Sequence, residues 1–354
     1  MLEIASAYKV LHHRKKLEAY LQNQQIMPAT LELDISTDCN KTCPLCPSTT
    51  GLYSYNLDLS FIERLFARLE GQTRGLLLSG GEPTMSPIFP EVLKLAKDYG
   101  FIEIAIVTNG SLLDKQQVAE ALSLHASTIR VSIYDWTGAT NSDLQTTLNK
   151  IENLRTHIEN NGSRLKIGVS ALTSKEHVGA IQYLAREVAG AGAHWIYFHP
   201  MCIRWDKGAP ERVNQLGVLD KIKEYQEESS DEFQIFTFPE RYIEDKIEFS
   251  GYHAANFLLV VGADGMNYLG AEVKYHPQHI IANLKENLDT NFLWNKERLN
   301  HINSVKSTTY PALPSRHRGV LYNHVIQTLL NNNERTIDNI NSKSNSTYAY
   351  PHIL

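Results

Sequence analysis

From about residue 30 the chain keeps one rhythm: a short β-rich run, then a stretch of helix-length amphipathic periodicity. The runs are TLELDIS (30–36), GLLLSGG (75–81), IEIAIVTNG (102–110), TIRVSIYD (128–135), RLKIGVSAL (164–172) and HWIYFHP (194–200). Helical periodicity fills the intervals near 58–70, 87–99, 114–123, 141–160 and 175–190. Consecutive βα units imply parallel strands joined by right-handed crossovers. Polar or glycine-rich clusters follow most of the runs. That suits a barrel-like sheet better than a doubly wound one, because βα barrels carry their catalytic groups at the C-terminal edge of the strands. The predicted fold class is α/β, a partial (β/α)6 TIM-like barrel of parallel strands with a small C-terminal α+β cap.

Past residue 205 the rhythm changes. A charged helical stretch near 211–230 leads to QIFTF and then to NFLLVVGADGMNYLG (256–270), which reads as a hairpin turning at Ala263-Asp264-Gly265. A helix near 289–302 and a basic segment, LPSRHRG (313–319), follow, and the stretch from Asn331 is rich in Asn and Ser. The expected organisation is an N-terminal amphipathic helix (1–27), the barrel (28–205), a cap (206–330) and a flexible tail (331–354). The N-terminal stretch lacks a signal peptide's continuous apolar core. No apolar run reaches the length of a membrane span. A net charge of −5 disfavours nucleic acid or an anionic membrane as partner.

DCNKTCPLCPS (38–48) places three of the four cysteines within eight positions. Cys39, Cys43 and Cys46 stand at C-x3-C-x2-C, and Pro44 and Pro47 interrupt any helix through them. Clustering of this kind makes no disulfide framework, and a reducing cytoplasm is the default compartment. Structural zinc usually takes four ligands, and His12 and His13, the nearby histidines, lie in a helical stretch before the first strand. An iron–sulfur cluster held by three thiolates instead leaves one iron free for another ligand.

The loop resembles the signature of the radical S-adenosylmethionine (SAM) superfamily, in which these three cysteines bind a 4Fe-4S cluster and SAM chelates the fourth iron. SGGEPT (79–84) resembles the family's GGE motif, which implies that Gly80, Gly81, Glu82 and Pro83 meet the methionyl amino group. TNG (108–110) and VSIYD (131–135) resemble further family segments and imply cofactor contacts for Thr108, Asn109 and Ser132. Leu45 stands where an aromatic residue often packs near the adenine. Ser170 takes a place that often serves the ribose or carboxylate, and Met201 joins the implied cofactor-binding set. The resemblance covers roughly residues 28 to 202.

Residues 257–275 and 280–302 resemble the cysteine-rich extension (SPASM or twitch type) that holds auxiliary clusters in many family members, but the cysteines are absent. Cys202 alone cannot hold a second cluster, and its plainer reading is a small buried hydrophobe. The cap is therefore expected to hold substrate with side chains: Lys274 and Arg316 as anchors, with Glu272, Arg318, Arg204, Trp205 and Tyr134 nearby. The resemblance implies reductive cleavage of SAM to a 5′-deoxyadenosyl radical, with a flavodoxin or ferredoxin-type reductant. The expected substrate is a small polar metabolite such as a sugar, nucleoside or nucleotide-sugar. Peptide modification is the alternative within the enzyme class, and a non-catalytic Fe–S sensor or electron carrier the alternative outside it.

Overall fold

The computed structural model describes residues 6–43, 46, 53–134, 142–173, 175–200, 216–242, 247–289, 291–311, 318–332 and 348–354. A 3-10 turn (Ala7–His13) runs into helix α1 (Arg14–Leu21) ahead of strand β1 (Thr30–Asp34). The expected alternation follows: α2 (Leu59–Leu69), β2 (Gly75–Ser79), α3 (Phe89–Asp98), β3 (Glu103–Thr108), α4 (Gln116–His125), β4 (Thr128–Ile133), α5 (Ser142–Asn160), β5 (Lys166–Thr173), α6 (Ile181–Gly190) and β6 (Trp195–Pro200). Helix α7 (Leu216–Gln226) and β7 (Gln234–Thr237) add a further unit. The chain then forms β8 (Leu258–Val261), β9 (Met266–Tyr268), β10 (Ile280–Asn283), α8 (Lys296–Ser304) and α9 (Arg318–Asn332).

These strands make one sheet in the order β10-β9-β8-β1-β2-β3-β4-β5-β6-β7. Pairing is parallel from β8 through β1 to β7 and antiparallel only in β8–β9 and β9–β10. The sheet does not close on itself, so the open parallel barrel expected from the sequence is present. Among the described residues no helix is long and apolar enough to cross a membrane.

Strand alternation sorts the side chains. Leu31, Leu33, Leu76, Leu78, Ile104, Ile106, Ile129 and Val131 join the core shared with the helices. Helix α2 shows how that layer is specified. Asp58 caps its N-terminus, accepting from Phe61 N at 2.7 Å, and Phe61, Ile62, Leu65, Phe66 and Leu69 form one buried stripe. Burying each such side chain contributes about 1.5–3 kcal/mol. A second core joins Val10, Leu11 and Leu17 to Trp195, Tyr197 and Phe236 and to Val320, Leu321, Val325 and Ile326 of α9. The N-terminal segment and α9 thus bridge the two flanks of the open sheet.

The segment expected as a separate cap is built differently. The hairpin turns where predicted, with Gly262 N donating to Met266 O at 3.0 Å. Its first strand, however, lies parallel against β1, with Thr30 opposite Leu258 and Leu33 opposite Val261. LLVV is apolar on both faces, which suits a buried parallel strand, and β1 would otherwise present an unpaired edge. Arg298 ties α8 to this flank: buried to 1% exposure, it donates to Asn267 Oδ1, Asn256 Oδ1, Ala255 O and Leu293 O at 2.8–3.1 Å.

Of the tail expected over 331–354, residues 333–347 lie outside the described residues, and the last seven are docked rather than loose. Ile353 and Leu354 are buried, and Ile353 packs with Leu77 and Ala105 on the inner face of the sheet. Thr30 Oγ1 donates to His352 O at 2.5 Å and accepts from Leu354 N at 2.9 Å, while His352 N donates to Glu103 Oε2 at 2.7 Å. A Cβ on Gly75 would fall 1.8 Å from His352 O, so only glycine admits the segment there. Thr30, Gly75 and Glu103 begin their strands, and the tail therefore occupies the N-terminal end of the barrel. Apolar side chains in a polar stretch explain the docking, a pattern that bulk composition averages away.

Candidate active site

The cysteine loop leaves β1 and is tied down at once. Asp38 N donates to Ser36 Oγ at 2.9 Å, and Thr37 Oγ1 donates to Tyr53 O and accepts from Tyr55 N. Ser54 Oγ and Asn56 Nδ2 donate to the Asp38 carboxylate. The SGGE turn after β2 then packs onto this backbone: Gly81 N donates to Ser36 O at 2.9 Å and Glu82 N to Asp38 O at 2.8 Å. A Cβ on Gly80 would lie 2.4 Å from Ser36 O, and one on Gly81 would lie 2.1 Å from Asp38 O. Gly80 also adopts φ +121°, a region that side chains disfavour. The glycines thus admit the cysteine loop's own backbone.

Glu82 does not face the cavity as expected. It is 0% exposed and accepts four hydrogen bonds from within the chain. Thr84 N, Thr84 Oγ1 and Thr108 Oγ1 donate to Oε1 at 3.1, 2.5 and 2.7 Å, and Asn109 N donates to Oε2 at 2.6 Å. Pro83 opens the short 3-10 turn behind it. Asn109 completes the interlock, its Nδ2 donating to Asn40 Oδ1 at 2.8 Å and reaching Cys39 Sγ at 3.7 Å. The loops after β1, β2 and β3 are therefore one hydrogen-bonded unit.

Cys39, Cys43 and Cys46 line a single cavity of about 230 Å3 at the C-terminal edge of the strands. Burial, followed by the neighbouring sulfur charges of Cys46 and Cys39, pushes the Cys43 thiol up, so the three sulfurs lie within electrostatic reach. Lys41 N donates to Cys39 Sγ at 3.4 Å, and Asn109 Nδ2 aims at the same sulfur. No three His, Cys, Asp or Glu side chains among the described residues stand at the spacing of a single metal ion. A cubane spreads its thiolates more widely than one ion does, and donors aimed at cluster sulfurs are its usual surroundings. The donor set fits a 4Fe-4S cluster.

Below the thiols the lumen is charged. Lys274 Nζ, 9% exposed, donates to Asp34 Oδ1 at 2.7 Å, Glu32 Oε1 at 3.2 Å and Ser79 Oγ at 3.2 Å. Arg318 pairs with Glu32 Oε2, and Tyr275 OH donates to Asp34 Oδ2 at 2.9 Å. Burial alone would raise the Glu32 carboxyl, but Lys274 and Arg318 outweigh it and hold it below the ordinary value. Burial likewise opposes the Lys274 charge, and Asp34 and Glu32 more than compensate. Glu272 accepts from Tyr252 OH and Tyr310 OH, both at 2.5 Å. Across the lumen Ser170 Oγ and His199 Nε2 share a hydrogen bond of 2.8 Å, His199 stacks on Tyr197, and Arg241 Nη1 donates to Tyr197 OH at 2.7 Å. Burial, then the charges of Arg241 and Arg130, keeps His199 neutral, well below its usual range.

The structure brings together the three cysteines, Gly80, Gly81, Thr108, Asn109, Ser132, Tyr134, Ser170, Glu272, Lys274 and Arg318 around this cavity. Lys274 departs from its expected part: it is a buried cation already held by two carboxylates. Glu272 is likewise committed to two phenols. Leu45, Met201, Cys202, Arg204, Trp205 and Arg316 lie outside the described residues. Glu32, Asp34, Arg130, Tyr197, His199 and Arg241 escaped the sequence reading. Most of them alternate with core residues along strands, as in TLELD and TIRVSI, and polar positions at period two in a buried strand mark its lumen face.

The family model for the radical SAM superfamily matches residues 33–163. The chain is 34% identical over 83 residues to the 7,8-dihydro-6-hydroxymethylpterin dimethyltransferase of Methanocaldococcus jannaschii, covering 22% of this chain and 16% of that one. It is 33% identical over 89 residues to the GTP 3′,8-cyclase of Chlorobaculum tepidum, covering 24% and 27%. These matches therefore span less than a third of either relative. Among solved structures, SuiB of Streptococcus suis bound to S-adenosylmethionine aligns over 84% of this chain and 73% of its own, with a TM-score of 0.65 and 16% identity. The structure of anSMEcpe with bound AdoMet aligns over 78% and 82%, with a TM-score of 0.57 and 15% identity. At such identities the likeness establishes the fold. With the family match and three interlocked motif loops on that fold, the domain spanning residues 33–163 belongs to the radical SAM superfamily.

Proposed function

We infer that the chain is a radical SAM enzyme acting on a small polar metabolite held in the barrel lumen. The observation that carries this reading is the cavity itself, with three thiols at its mouth and a compact, charged interior below them. When bound at Cys39, Cys43 and Cys46, a 4Fe-4S cluster supplies the electron for reductive cleavage of SAM, and so the means to remove hydrogen from unactivated carbon. The chain's own residues do the rest. Gly80, Gly81 and Asn109 shape the rim, and Glu82 holds the second and third loops in register from behind. Ser132 and Ser170, opposite one another on β4 and β5, offer hydroxyls at cofactor level. With substrate and cofactor seated, the lumen would keep water from the reacting carbon, and its paired charges would fix the substrate's orientation. A flavodoxin or ferredoxin-type protein is the proposed reductant.

A peptide substrate is the second reading. One structural neighbour, SuiB, has been solved bound to its precursor peptide SuiA, with a TM-score of 0.64 to this chain. The confined lumen favours the small metabolite. Anaerobic reconstitution should give about four irons per chain, the content of one cluster. Dithionite and SAM should then yield 5′-deoxyadenosine, read by chromatography. A reconstituted protein with full iron and no deoxyadenosine would refute the enzyme reading in favour of an Fe–S sensor.

A further inference from the structure

Arg130 is the lumen residue that the site described above leaves without a task. It sits at the middle of β4, where its neighbours in register are Val107 on β3 and Gly168 on β5. Neither side chain can accept a hydrogen bond, so the guanidinium must look into the lumen for partners. Its Nε is sealed from solvent and has none. The residue as a whole keeps partial exposure, and it lines both the thiol-bearing cavity and a smaller one of about 100 Å3 toward the docked tail, which Arg318 lines as well.

The nearby charges deepen the problem. Glu32 is the carboxylate within reach, and its oxygens are already taken by Lys274, Ser79 and Arg318. Arg318 itself faces Arg130 closely enough that its charge, after burial, disfavours the Arg130 guanidinium. His199 adds no negative charge and is kept neutral partly by Arg130. A buried guanidinium with an orphaned donor and a second guanidinium beside it is costly in an empty site. An oxyanion between the two would satisfy both, because a guanidinium edge matches two oxygens of a phosphate or carboxylate.

Depth separates this position from the cofactor. Arg130 lies two residues below Ser132 along β4, about 7 Å further from the thiol-bearing mouth at about 3.3 Å per residue. We propose that Arg130 and Arg318 form an oxyanion subsite on the floor of the lumen, seating a phosphate or carboxylate group of the substrate. The proposal deepens the reading given above and rests on it, since it takes the lumen as the substrate chamber.

The test is calorimetric titration of the reconstituted full chain with inorganic phosphate and, separately, with acetate, each against chloride at matched ionic strength. One of the two anions should bind saturably at one per chain: phosphate assigns a phosphate ester, acetate a carboxylate. Arg130→Gln should weaken that binding at least about tenfold, as expected for loss of a charge-assisted bidentate contact. Arg318→Gln should weaken it similarly and serves if the first variant fails to fold. Thermal unfolding of anion-free Arg130→Gln should match or exceed the parent, because a poorly satisfied buried charge has been removed. Absence of binding by either anion in the parent overturns the subsite, and so does equal binding by parent and variant. A parallel loss of SAM affinity also overturns it, since Arg130 would then serve SAM's own carboxylate. These readouts need no turnover, so their failure is distinguishable from a failure to form deoxyadenosine.

Discussion

Glu82 shows how far a motif can be read at the level of one residue. Its motif, and its place behind the second strand, were readable because glycine pairs and a following Glu-Pro are unusual at a strand end. Its task was not, because the partners come from Thr84, Thr108 and Asn109, whose convergence only the fold supplies. Every proton aimed at the carboxylate is donated, so a glutamine amide in either orientation would set NH2 against a donor. Glu82→Gln should therefore destabilise the protein by about 1–3 kcal/mol, the cost of a buried polar group left unsatisfied. The measurement is chemical denaturation followed by far-UV circular dichroism. An unchanged midpoint, with SAM affinity alone reduced, would return Glu82 to a direct ligand role.

At the scale of elements, the central strands and helices were readable from periodicity, since each strand buries both faces and each helix one stripe. The C-terminal hairpin was readable too, but its pairing partner was not, for a common reason: strand pairing to a distant edge leaves no local signature. Strand β8 and the segment 348–354 both find partners near β1 from far along the chain. The docked tail brings His352 into a cluster with His12 and His13, ring centroids 5.4–5.5 Å apart. Burial, chiefly, holds His13 down at about 3 and His352 at about 4, against about 6.5 in an unfolded chain. Stability from such depressed histidines is present above pH 6.5 and lost as pH falls toward those values. Glu103, raised to about 7 by burial, acts oppositely: its contribution is present below about 4.5 and fades as pH rises to 7. Two histidines against one carboxyl leave a net loss on acidification. Thermal midpoints should fall from pH 7 to pH 4.5, and His13→Gln should shallow that slope. An unaltered slope in the variant would remove the cluster as its source.

At the scale of the whole molecule, the thiols stand at one end of the lumen, Arg130 lies deeper, and the tail fills the other end. The barrel class and the thiol loop were readable; the lumen's charges and the tail docked at its far end were not, because both depend on side chains that meet only across the sheet. If ligands enter past the thiols, the cavity fills and empties as a stack, last in and first out. On that route, whatever seats against Arg130 arrives before SAM and leaves after the fragments of SAM have gone. Adding SAM to protein preloaded with radiolabelled phosphate should slow release of the label into an unlabelled chase. Equal release with and without SAM would mean that the flank between β7 and β8 admits traffic of its own.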